Sequence, residues 1–190
     1  MAKSIVIEDD VFGVFGLGCD ASFSAGKYYV VPKDGLRERL VMNNLGLSME
    51  LDRDSFAKNQ NVAIGSSLTS ISFVLENERA NAHTTLLTLD GLPEANYTLR
   101  INGVVKYIFR PDASEKSIIE LDVSSAATSD ISIRLNADID GDGDLDFGDF
   151  AILALHWQES GCGLCSGADL TGDGKVNEDD LKEFVSQWLL

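Results

Sequence analysis

Apolar and polar residues alternate with a period of two through most of residues 4–135. The runs are "SIVIE", "KYYVV", "ERLVM", "LSMELD", "TSISFVL", "TTLLTLD", "YTLRI", "VVKYIF", "SIIELDV" and "DISIRL", each rich in β-branched or aromatic residues and bounded by turn formers. Such alternation puts one face of a segment against a core and the other towards solvent. Many short strands at close spacing predict an antiparallel β-sandwich over residues 1–136. Its clearest hairpin is "YTLRINGVVKYIF", where Asn102 and Gly103 supply the two positive φ angles of a type I′ turn. Only "LRERLVMNNLG" admits a helix, and its β-branched neighbours make strand at least as good a reading.

From residue 137 onward the period changes. Two short stretches, "DFAILALHW" and "DLKEFVSQW", stand 31 residues apart and share one apolar spacing. Phe150, Leu153, Ala154 and Trp157 correspond to Leu181, Phe184, Val185 and Trp188, the i, i+3, i+4, i+7 stripe of a core-facing helix. The two tryptophans are therefore expected to be mutual core. Ile152 and Leu155 lie off the shared stripe and are replaced by Glu183 and Ser186 in the second copy. Those two apolar residues are expected to touch either a partner or the adjoining sandwich.

Composition adds a marked asymmetry of charge. The chain of 190 residues is 44% hydrophobic and carries a net charge of −16, a size that suits one domain plus a small module. From Asp138 onward there are 13 acids and two bases, giving −11; residues 1–137 hold 18 acids and 13 bases, giving −5. This balance disfavours nucleic acid and anionic membranes, whose binding rests on Lys and Arg. No apolar run approaches the roughly 20 residues that span a bilayer, so no membrane insertion is expected. The opening "MAKSIVIEDDVFGVFGLG" lacks the pattern of a signal peptide, and the expectation is a mature fragment or the tail of a longer secreted chain.

The acids are not scattered. In "DIDGDGDLDFGD", Asp138, Asp140, Asp142, Asp144, Asp146 and Asp149 occupy positions 1, 3, 5, 7, 9 and 12, with Gly143 at position 6. In "DLTGDGKVNEDD", Asp169, Thr171, Asp173, Lys175, Asn177 and Asp180 fill the same positions, with Gly174 at position 6. This is calcium-loop spacing: alternate residues direct oxygens inward, position 7 offers its backbone carbonyl, and the glycine allows the sharp turn. Two loops in register form an internal repeat, which predicts two calcium ions. Thr171 and Asn177 replace acids, so the second loop is expected to bind more weakly. Without ions, residues 138–190 are expected to be largely unfolded.

A strand-like "DISIRLNA" runs directly into the first loop where an EF-hand would have an entering helix. This duplicated loop-then-helix unit, with aspartate at position 12, resembles a dockerin over residues 137–190. The resemblance implies a calcium-dependent attachment module that joins polysaccharide-acting chains to cohesin-like domains on a scaffold or cell surface. It also implies an extracellular location. Positions 10 and 11, often Ser-Thr in that family, are Phe147 and Gly148 in one repeat and Glu178 and Asp179 in the other, which leaves partner identity open. The stretch "LTLDGLPEANYTLRINGV" in turn resembles the small sandwich domains appended to secreted polysaccharide-degrading enzymes. A neighbouring copy of the chain is the alternative partner, in a calcium-stabilised self-assembling surface or filament subunit; polysaccharide is a third.

Other chemistry is sparse. Cys162 and Cys165 are expected to form a local disulfide, with Cys19 buried, although pairing of Cys19 with either remains open; four-ligand zinc is disfavoured. His83 and His156 read as structural, and carboxylate pairs such as Glu8 with Asp9 and Asp52 with Asp54 read as solvated turns, so no enzyme is expected. Tyr28, Tyr29, Tyr97 and Tyr107 are the candidates for sugar stacking, with ordinary packing the favoured reading.

Overall fold

A computed structural model describes residues 4–7, 14–15, 19–33, 37–162 and 165–188. The described chain is mainly β, with two short helices near its C-terminus. Its strands are β1 (Ser4–Ile7), β2 (Val14–Phe15), β3 (Cys19–Ser24), β4 (Lys27–Pro32), β5 (Arg39–Met42), β6 (Leu47–Leu51) and β7 (Ser55–Phe56). They continue with β8 (Val62–Gly65), β9 (Ser70–Glu76), β10 (His83–Asp90), β11 (Tyr97–Ile101), β12 (Val104–Phe109), β13 (Ser117–Val123) and β14 (Thr128–Leu135). One sheet has the order β13-β10-β6-β5-β1-β2 and the other β12-β11-β14-β9-β8-β4-β3, with β7 paired to β9.

The alternation decides which side chains go inside. Leu87 and Leu89 of β10, Leu99 and Ile101 of β11 and Ile131, Ile133 and Leu135 of β14 are buried at every second position. Buried residues from both sheets join in one hydrophobic cluster. The ten alternating runs all become strands, whereas β2, β3, β7 and β8 gave no such signal because they are short or mostly polar. "LRERLVMNNLG" resolves into β5 and a single 3-10 turn, Asn43–Leu45, which Gly46 ends with a φ of 66°. Asn102 and Gly103 take φ of 52° and 79°, as a type I′ turn requires.

The expectation of purely antiparallel sheets needs correction. β1 lies parallel to β5, in register from Ser4 opposite Arg39 to Ile7 opposite Met42. A parallel pair needs a long crossover, and the chain supplies one by placing β3 and β4 in the other sheet between these two strands.

At Leu135 the first cluster ends, and at Ala137 a second begins, built from Ala137, Ile139, Leu153, Cys165, Ala168, Leu170, Val176 and Phe184. Leu145, in the first acidic loop, packs against both. The helices α1 (Phe147–Leu155) and α2 (Glu178–Trp188) each follow one loop. Of the two four-residue stripes only Leu153 and Phe184 are buried; Phe150, Trp157, Val185 and Trp188 are 36–47% exposed. The tryptophans are therefore not mutual core. Helices of 9 and 11 residues over so small a cluster bury only the centre of each stripe. Trp188 stacks at its edge on Phe147 and Phe184.

Of the two contacts expected of Ile152 and Leu155, a partner or the sheets, the one with the sheets is corrected. Ile152 packs within the second cluster and Leu155 is 76% exposed. The tie to the sheets is polar instead. Glu183, which occupies the place of Ile152 in α2, accepts from Asn96 Nδ2. Gln187 Oε1 accepts from the Ala137 amide at 3.2 Å, its Nε2 donates to Asn136 Oδ1, and Asn136 Nδ2 donates to the Leu170 carbonyl. Cys162 and Cys165 form a disulfide, while Cys19 is half-buried in β3.

Candidate metal centre

The two acidic loops close in the same way. Asp149, at position 12 of the first, is fully buried; its Oδ1 accepts from the amides of Ile139 (2.6 Å) and Asp140 (3.1 Å), and its Oδ2 from Asp146 (2.9 Å). Asp180 is likewise buried and accepts from Thr171 at 3.0 Å and Asn177 at 2.8 Å. In each loop, position 12 thus binds the amides of positions 3 and 9. Glycines permit the turns between, with φ of 96° at Gly143 and 83° at Gly174. Asp146 then caps α1: its side chain accepts from the Gly148 amide at 2.6 Å, completing a capping box with Asp149.

Carboxylate oxygens of Asp138, Asp140 and Asp149 lie within 4.8 Å of one another. In the second loop the same positions gather as well, with Thr171 Oγ1 3.5 Å from Asp169 Oδ1 and 3.0 Å from Asp180 Oδ1. Asp142 and Asp144 are exposed, and Asp142 accepts from the Asp144 amide. Lys175 is also exposed, its amide bonded to Asp173. Asn177 accepts from the Asp179 amide at the start of α2.

The loops differ at position 1. Asp169 accepts from the amides of Gly172, Asp173 and Gly174 at 2.8–3.2 Å. Asp138 is just as buried, at 5% exposure, yet neither of its oxygens accepts a hydrogen bond of normal geometry, the Gly141 amide lowering its carboxyl only weakly. Burial pushes its carboxyl up to about 6, while the Arg134 guanidinium, 3.8 Å away, pulls the other way. Burial raises Asp149 too, against the three amides that favour its anion. A buried carboxylate without hydrogen-bond partners is costly, and a group of converging oxygens around it suits a hard cation. The residues present therefore fit such an ion.

Sequence reading missed the basic residues that face this loop. Lys27 of β4 donates to the Asp142 carbonyl at 3.4 Å. A Cβ at Gly143 would fall 2.8 Å from Lys27 Nζ; one at Gly141 would fall 2.8 Å from Arg134 Nη1 and 3.7 Å from Arg100 Nη1. Lys27 lies 115 residues from Asp142, so no local pattern signals the contact.

The two histidines and the pair Asp52 and Asp54 are tied up in structural contacts. His83 bonds to Asp54 Oδ2 and the Asn81 carbonyl, both at 2.9 Å, and His156 pairs with Glu159. Asp54 is not the solvated turn residue expected: it is fully buried and also accepts from the Glu78 amide. Asp52 is exposed and accepts from Thr85 and Leu86. Glu8 and Asp9 lie outside the described residues. Tyr28 and Tyr97 are buried, Tyr29 half-buried and Tyr107 37% exposed. No model of a known protein family matches the chain, and comparison with curated proteins and with solved structures returns no match.

Proposed function

We propose that the chain is a non-catalytic extracellular attachment piece: a β-sandwich carrying a dockerin-like module that binds two calcium ions and joins a polysaccharide-acting chain to a cohesin-like domain. In this reading Asp138, Asp140, Asp142, Asp146 and Asp149 hold one ion, with the Asp144 carbonyl. Asp169, Thr171, Asp173, Asn177 and Asp180 hold the other, with the Lys175 carbonyl. Calcium supplies positive charge that joins several hard oxygens, and the protein's own part is to keep position 12 buried and position 1 facing its neighbours. Low-affinity oxygen sites of this kind belong where calcium is plentiful, which favours the extracellular location.

The observation that carries the attachment role is the apolar face left open by both helices. Phe147 is 77% exposed, beside Trp188 and Phe150, with Trp157 and Val185 also exposed; Leu155, 76% exposed, adds an apolar residue off that stripe. A contiguous exposed face rich in aromatic residues is what a protein partner covers. The test is binding of purified cohesin-type domains in calcium and in chelator. Calcium-dependent binding, lost in Leu155→Asp and Phe147→Asp, is expected; no binding in either condition, or binding indifferent to both variants, refutes it.

Self-assembly is favoured by a different observation. β12 is an edge strand whose Val104, Val105, Tyr107 and Ile108 are all exposed, a ready template for pairing with another chain. Sedimentation separates the readings: concentration-dependent association abolished by Ile108→Lys supports this one.

A further inference from the structure

We infer that the β-sheet body carries a built-in counter-cation for the first acidic loop: Arg134, flanked by Lys27 and Arg100, competes with a bound cation for Asp138 and so lowers the affinity of that loop. The inference rests on the calcium reading of the loops and adds a regulator of one site that lies outside both loops.

Three independent features of the structure point to it. First, Asp138 and Asp169 occupy the same position of the repeat and are equally buried, yet only Asp169 folds back to accept three backbone amides. The difference lies four residues upstream, where the first copy has Arg134 and the second Cys165. Arg134 stands 3.8 Å from Asp138 Oδ2, too far for a hydrogen bond and close enough to hold the carboxylate by charge. Second, the loop is seated on cations along its length. Gly141 and Gly143 pass so near Arg134 and Lys27 that a Cβ at either would fall 2.8 Å from the cationic nitrogen and displace it, and both have positive φ of 79° and 96°. Third, the three cations come from strands of one sheet, β11 and β14 side by side and β4 beyond β9 and β8, so they are fixed to the sheet and not to the loop.

The consequence is opposite in sign to the one ligand charge alone suggests. Six aspartates make the first loop the more acidic, which by itself favours tighter binding. The seat opposes this twice. It repels an incoming dication, and it neutralises Asp138 in the ion-free protein, so part of the gain from binding is already taken. Removing Arg134 acts in the same direction through both effects: tighter cation binding and a less stable ion-free protein. A unit charge beside a dication at salt-bridge range, in nearly aqueous dielectric, is worth a factor of about ten in affinity, about 1.4 kcal/mol. Arg134→Lys keeps the charge and should keep the wild-type affinity.

The test is calorimetric titration of the full chain with calcium at low ionic strength, alongside thermal unfolding in chelator, for wild type, R134Q and R134K. The expected result has one of two calcium sites about tenfold tighter in R134Q, the other unchanged, R134K close to wild type, and a lower ion-free melting temperature for R134Q alone. Should R134Q fail to fold, Lys27→Gln carries the same test with a smaller gain of about twofold. Unchanged or weaker calcium binding in the foldable variants overturns the inference while leaving the calcium reading intact. A wild-type chain that takes up no calcium overturns both.

Discussion

Asparagine at position 138 should change stability in opposite senses with and without calcium. Asp138 is 5% exposed and its oxygens accept no hydrogen bond of normal geometry, and burial raises its carboxyl from 3.8 to about 6. An acid that binds its proton more tightly when folded opposes folding once ionised. The ion-free protein therefore loses stability as pH rises from about 4 to about 6 and stays lower above that window. At 1.36 kcal/mol per unit the shift amounts to roughly 3 kcal/mol, and screening from the side where Asp140 and Asp142 are exposed reduces it to about 1–2 kcal/mol. Asparagine removes that penalty, but it gives up the attraction of Arg134 and leaves an amide short of partners, a loss of about 1 kcal/mol. In chelator near neutral pH the variant should thus match wild type or exceed it by up to about 1 kcal/mol, a result that needs residues 138–190 to keep their fold without ions, against the expectation drawn from their sequence. In calcium at a hundredfold excess over the dissociation constant, wild type gains about 2.7 kcal/mol per site, and the variant forfeits most of that at one site. Urea unfolding followed by far-UV circular dichroism, with and without calcium, reads both signs. Equal destabilisation in the two conditions would refute the reasoning, since it would make Asp138 a structural residue with no cation to wait for.

Two further changes probe the frame around the site. Asp146→Ala removes the cap of α1 and should cost about 1 kcal/mol, visible as a loss of helical signal that Asp146→Ser largely avoids; no change would mean that the cap is idle. Gly91→Ala should destabilise the β-sheet body by about 3 kcal/mol or more, seen as a sharply lower calorimetric melting temperature, because its Cβ would lie 2.0 Å from the Gly46 carbonyl oxygen at a φ of +93°. A loss below about 1 kcal/mol would show that the chain can open there without strain.

How much of this was legible in the sequence follows from the range of each interaction. Alternation is local, so the ten patterned strands could be read directly, and Asn102-Gly103 announced its hairpin. The parallel pairing of β1 with β5 could not, because it depends on which sheet the intervening strands join. The acidic loops were legible for the same local reason: positions 3, 9 and 12 meet within twelve residues. What surrounds them was not. Arg134 is an ordinary outward residue of a strand by its pattern, and only the turn at Asn136 and Ala137 brings it back to Asp138. Helical periodicity marked Leu153 and Phe184 correctly as core but overstated the rest of the stripe, since a spacing rule says which residues share a face and nothing about how much of it is covered. Asp54 misled for a related reason: a turn-like sequence carries no sign of the His83 that meets it 29 residues later.

The central claim is that the two loops are cation sites, and calorimetric titration of the whole chain with calcium tests it most directly. Two ions per chain are predicted, none when Asp138 and Asp169 are both alanine, and affinity that falls as pH drops below about 6, where a proton competes for Asp138. A wild-type chain that takes up no calcium, or a double variant that still takes up two ions, would contradict it.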